Sequence, residues 1–153
     1  MLGSLFQSCK ALVRHVASLR VAISQAAVAS AAARGNTVSQ ISVRTVLAAN
    51  TAVNALQGTQ YEYLPGSMFP RGAFVEFGTT TDATGVLRTV QTGVDVIEEE
   101  SPVAIATINV QPVYPDGFTL NDAVGPGEKI NVKLRDTSGA QRIVNTIVRF
   151  TPL

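Results

Sequence analysis

This 153-residue chain contains one histidine and one cysteine, and their spacing does not serve metal or nucleophilic chemistry. His15 stands beside Arg14 and six residues from Cys9. That interval is not one at which zinc ligands recur, and no second residue of either kind completes a set. A lone cysteine cannot form an intrachain disulfide. Cys9 falls at an apolar position and is expected to be a small buried hydrophobe. No G-x-S-x-G elbow occurs, so serine catalysis would need His15 to reach across from the N-terminal segment. Gly125-Pro126-Gly127-Glu128-Lys129 lacks the G-x-x-x-x-G-K-[ST] pattern of a phosphate loop and precedes a strand-like run. Glu98, Glu99 and Glu100 are adjacent, so they repel and point in different directions. They are expected to form a solvated acidic turn, since a calcium loop spaces its oxygens more widely. Asp82, Asp116, Asp122 and Asp136 sit in turn sequences, where Asp bonds the local backbone. The expectation is no catalytic residue, no metal, no cofactor and no small-molecule substrate.

The elements around these residues divide into two unlike halves. Residues 1–61 carry Lys10, Arg14, Arg20, Arg34 and Arg44 and no acid, giving a net charge of +5. Residues 62–153 hold all 11 acids and seven bases, giving −4. The halves could attract each other, within one molecule or between neighbours, or the basic half could face a polyanion or an anionic membrane. Charged residues are only 15% of the chain, well below the roughly 25% of ordinary soluble domains. A surface so poor in charge suits a protein largely covered by copies of itself or by partners.

In the first half, Leu2, Leu5, Phe6, Cys9, Leu12, Val13, Val16 and Leu19 follow the i, i+3, i+4, i+7 rhythm of an amphipathic helix. Gln7, Lys10, Arg14 and Ser18 fall opposite. The Ala-rich run to Ala33 continues the helix by propensity, and Gly35-Asn36 ends it. Thr37-Val38-Ser39-Gln40 has the form of a capping box, which predicts a second helix from Val38 to Leu56. The β-branched residues Ile41, Val43 and Val46 support a competing strand over 39–47. A helical arm over 1–57 is the expectation adopted. Leu5, Phe6, Leu12, Val13, Val16 and Leu19 are its candidate subunit contacts. Lys10, Arg14, Arg20, Arg34 and Arg44 are the candidate contacts to nucleic acid or an anionic membrane surface, within residues 1–44.

Residues 58–72 are punctuated by Gly58, Pro65, Gly66, Pro70 and Gly72 and carry Tyr61, Tyr63, Met68 and Phe69. They read as an ordered connection. From Ala73 the period becomes two. Short strands are expected over Ala73–Phe77, Val86–Thr92, Val94–Ile97, Val103–Val110, Phe118–Leu120, Lys129–Arg135 and Arg142–Thr151, with a loop at Thr79–Gly85. In Lys129–Arg135, Ile130, Val132 and Leu134 should face inward. Without helices between the strands, residues 73–153 are expected to form an antiparallel β-sandwich or a jelly-roll-like barrel. The fold class expected for the whole chain is α+β.

A basic N-terminal segment ahead of a low-charge β domain resembles a small structural protein of a bacteriophage-like virion, of capsid, penton or cement type. The resemblance is architectural, spans the whole chain and assigns no residue a role. It implies a symmetric oligomer located in the virion, with copies of itself and other virion proteins as partners. A membrane-surface protein anchored by the N-terminal helix, or a ligand-binding β module, is the alternative.

Overall fold

The computed structural model describes residues 38–107 and 110–153. Nine strands form there: β1 Ser39–Leu47, β2 Ala52–Asn54, β3 Ala73–Thr81, β4 Val86–Thr92, β5 Asp95–Pro102, β6 Ala104–Ile105, β7 Phe118–Val124, β8 Ile130–Asp136 and β9 Arg142–Pro152. One sheet runs β1-β9-β3-β6, with β7 also paired to β3; the other runs β2-β8-β4-β5. All pairings are antiparallel except β3 with β6.

The pairings are nested. β1 pairs with β9, β2 with β8, β3 with β7 and β4 with β5, from the outside of the sequence inward. The described residues thus form one long antiparallel ribbon, doubled back between β4 and β5. Rolling the ribbon adds the contacts β9 with β3 and β8 with β4, which divide it into two sheets. Their inward residues form one hydrophobic cluster: Val75, Phe77, Val144, Val148 and Phe150 from the first sheet, and Val86, Val90, Ile130, Val132 and Leu134 from the second. Each fully buried side chain of this kind contributes roughly 1.5–3 kcal/mol. The arrangement of two antiparallel sheets is compatible with a β-sandwich.

The α+β expectation does not hold for the described residues, which contain no helix. The helix predicted from Val38 to Leu56 is β1, a turn and β2. Nine residues of β1 pair in register with β9, and Ser39, Ile41, Val43 and Thr45 turn toward the core while Gln40, Ser42, Arg44 and Val46 face out. That ladder and the half-burial of Ile41 and Val43 outweigh the local helix preference of the Ala-rich residues behind them. Asn50, with φ of 56°, breaks any helical continuation before β2. The helix expected over Ser4–Ala33 lies outside the described residues.

Three strand expectations also change. β3 runs on through Thr79, Thr80 and Thr81, which pair with β9 where a loop was predicted. Glu98, Glu99 and Glu100 lie within β5, not in a turn. The continuous strand predicted over Val103–Val110 reduces to Ala104–Ile105. After it the chain leaves the edge of the sheet and crosses the outer side of β3 and β9. Val110 O accepts hydrogen bonds from Thr80 Oγ1 (2.9 Å) and Asn145 Nδ2 (3.3 Å). Gly78 makes the crossing possible: a Cβ there would stand 2.9 Å from Gly117 O and 3.0 Å from Pro112 Cβ. Under this cover Asn145 and Ile147, which point away from the core, are nonetheless buried.

Residues 58–72 bring Tyr61, Leu64 and Phe69 into the core. Tyr61 stacks on Phe150 at 4.7 Å between ring centroids, and Phe69 tilts against the same ring at 5.8 Å. The stretch is tied to the second sheet by Leu64 N to Glu128 O and Ile130 N to Glu62 O.

Two inward hydroxyls have no partner among the described residues. Thr79 and Thr146 lie opposite each other across β3 and β9, and neither Oγ1 is hydrogen-bonded. An unpaired buried hydroxyl costs more than a methyl of the same shape. Thr146→Val is therefore expected to raise the unfolding free energy by about 1 kcal/mol. Urea titration checks this, and a comparable loss would show that the hydroxyl is satisfied.

Candidate interaction surface

Polar chemistry among the described residues gathers at three places. The first is a seam between the sheets on the side of β5 and β7. On β4 the residues Val86, Arg88, Val90 and Thr92 all face inward and are buried. Arg88 is thus a charge in an apolar row. Its guanidinium is held by Glu98 of β5, with Nε to Oε2 at 2.6 Å and Nη2 to Oε1 at 3.1 Å, and it reaches Thr119 of β7 at 3.2 Å. The two side chains are only 8% and 16% exposed. Four residues along β4, Thr92 Oγ1 donates to Asp122 Oδ2 of β7 at 2.5 Å. These bonds fasten the second sheet to the far edge of the first. These side chains bond to one another across the two sheets, so the seam acts as a clasp.

The second place is the end of the molecule where the β1–β2 and β8–β9 loops meet. Asp136 accepts from Ser138 Oγ (2.6 Å), Asn50 N (2.9 Å), Ser138 N (3.1 Å) and Gly139 N (3.0 Å). These donors, the Ser138 hydroxyl foremost and the Asn50 amide next, lower its pKa from 3.8 to about 2. The bonds favour the ionised form in the folded chain, so the stability they add is fully present above pH 3.8 and is lost as pH falls through about 2. The difference in Tm between the wild type and Asp136→Asn should therefore shrink through this window and vanish near its lower end. A pH-independent difference would contradict the role.

The third place is an open groove of about 290 Å³ beside β2, lined by Asn54, Gln57, Glu62, Lys129, Asn131 and Lys133. The Gly58 amide, and secondarily Lys129, hold the Glu62 carboxyl below its ordinary pKa. Lys129 is engaged by Glu62 at 3.4 Å and lies over the Tyr63 ring at 5.7 Å. Lys133 is exposed and has no carboxylate partner among the described residues. The groove offers one uncommitted ammonium and several amides, which suit recognition of an acidic surface.

The two lateral margins of the fold differ in charge. β1 and β2 are the edges on one side, joined by the 48–51 turn; β5, β6 and β7 form the other, joined through Arg88. On the first margin Arg44 is exposed on the outer face of β1, and Lys133 is one strand in from β2. Neither has an acidic partner among the described residues. On the second, Asp95 and Glu99 are exposed and make no ion pair there among the described residues. Exposed apolar side chains accompany both sets: Val46 and Val53 on the basic margin, and Val94 (90% exposed), Val96 and Ile105 on the acidic one.

Of the predicted contact residues, Leu5, Phe6, Leu12, Val13, Val16, Leu19, Lys10, Arg14, Arg20 and Arg34 lie outside the described residues. Arg44 is placed on an exposed sheet edge. The sequence reading missed the Arg88–Glu98 clasp, although a signal was there: Arg88 occupies an inward position of the alternation Val86, Val90, Thr92. The local turn role expected for Asp136 holds, with bonds from Ser138 N and Gly139 N; what the sequence did not show is the bond from Asn50 N, in a loop 86 residues away. No group of three or more potential metal ligands occurs among the described residues. Nor is any helix there long and apolar enough to cross a membrane. No family model, curated protein or solved structure matches the chain.

Proposed function

We propose that this protein is a non-enzymatic structural subunit of an oligomeric assembly, a virion component of capsid, penton or cement type. The observation that carries the reading is the strand order. Four nested antiparallel pairs, rolled so that β1-β9-β3-β7 faces β2-β8-β4-β5, have the connectivity of the eight-stranded jelly roll, with β6 as an addition at the edge. That fold builds virus shells, and it also serves lectins and cupins. Fold alone does not choose among them. The particle reading is favoured by a chain with only 15% charged residues and by exposed valines on both lateral margins. A subunit with neighbours on either side would bury such margins.

In this reading the partners are further copies and other virion proteins. The acid-free residues 1–44, with Lys10, Arg14, Arg20, Arg34 and Arg44, contact the packaged polyanion or an anionic membrane. Electron microscopy of the purified full-length protein tests the reading. Uniform closed rings or shells are the expected result. Dispersed single subunits, or flotation with anionic liposomes in place of assembly, would contradict it.

A further inference from the structure

We infer that copies of this chain join head to tail, the β1/β2 margin of one against the β5/β7 margin of the next. The inference rests on the assembly reading and supplies the contact that reading requires. The occupant of each margin is a second copy, and charge complementarity is the reason. Exposed Arg44 and Lys133 on one side have no acidic partner among the described residues, and exposed Asp95 and Glu99 on the other have no basic one. Like margins repel: two β5 edges would set Asp95 and Glu99 against their own copies, and two β1 edges would set Arg44 against Arg44. Only unlike margins bring opposite charges together, which selects a heterologous over a two-fold contact. A heterologous contact closes into a ring when its rotation permits.

The apolar side chains fit the same pairing. Val46 and Val53 stand beside the basic groups, and Val94, Val96 and Ile105 beside the acidic ones. Joined, each set covers the other. The edges of the second sheet are ill suited to extending a sheet from copy to copy, whereas β1 is a regular nine-residue edge. β2 has three residues, and β5 is interrupted by two register shifts and by Glu100 at φ of 44°. β2 and β5 thus resist continuous backbone pairing, so on the second sheet side chains carry the contact.

Charge exchange in the full-length chain tests this. Arg44→Glu/Lys133→Glu makes both margins acidic, and Asp95→Lys/Glu99→Lys makes both basic. Each variant alone should sediment as a monomer while keeping a wild-type circular dichroism spectrum. An equimolar mixture should recover oligomers, open or with an even number of subunits, because alternating variants again pair unlike charges. Wild-type assembly by either variant alone, or no recovery on mixing, would overturn the inference while leaving the assembly reading intact. If either variant fails to fold, the salt dependence of the wild type decides. Near 1 M salt, where the Debye length falls to about 3 Å, the wild type should shift to smaller species. No shift would overturn the margin pairing, whereas a wild type monomeric at every salt concentration would remove the assembly reading itself.

Discussion

Glu98→Gln should lower the unfolding free energy by about 3–5 kcal/mol, because it leaves the Arg88 guanidinium buried without its counter-charge. The Arg88 side chain is 8% exposed, and both oxygens of Glu98 face its nitrogens. Gln keeps the shape but accepts on one atom only and carries no charge. The cost is that of a stranded ion, which exceeds the net worth of the pair. Replacing both residues, as Arg88→Met with Glu98→Leu, should therefore be far milder than the single change, since desolvation of both ions is then avoided. Urea unfolding of Arg88→Met, Glu98→Leu and the double variant measures the coupling. A loss under 1 kcal/mol in the single variant would mean that water reaches the seam. The clasp also joins β5 to β7, so its loss should loosen the margin that carries Asp95, Glu99 and Val96.

Phe150→Ala carries the next largest effect, again about 3–5 kcal/mol. Phe150 is fully buried on β9, opposite Val75 of β3 and Ser39 of β1. Its ring is the surface on which Tyr61 stacks and against which Phe69 tilts. Truncation opens a cavity and removes the platform that holds residues 58–72 on the sheets. Hydrogen exchange should accordingly speed up in that connection, at Tyr61 and Leu64 in particular, as well as in β9. An unchanged connection in a destabilised variant would show that its backbone bonds to Glu128 and Ile130 suffice to hold it.

The parts of the fold legible in the sequence are those where one chemical pattern acts alone. In β8, Ile130, Val132 and Leu134 alternate with polar residues, and all three are buried as the period requires. In β1 two patterns compete. Ile41 and Val43 favour a strand, while the capping-box residues and the following alanines favour a helix. The pairing with β9, about a hundred residues away, decides between them and leaves no local trace. Val103–Val110 misleads for a related reason. Its apolar residues suit a central strand, but the chain departs after Ile105 to cover β3 and β9, and it is the tolerance of Gly78 that admits it. At the interaction surface, acidity at Glu98–Glu100 was visible in the sequence. The division of that acidity was not: Glu98 is spent on Arg88 and Glu100 on Arg135, which leaves Glu99 free of ion pairs among the described residues. Sequence charge sums describe halves of the chain, whereas the structure sorts unpaired charge by margin.

The molar mass of the purified full-length protein, followed by light scattering across micromolar concentrations, puts the assembly role to its plainest trial. A single high mass, equal to a whole number of subunits and unchanged on modest dilution, is the predicted result. A mass of 16.1 kDa, that of one chain, throughout the same range would contradict it.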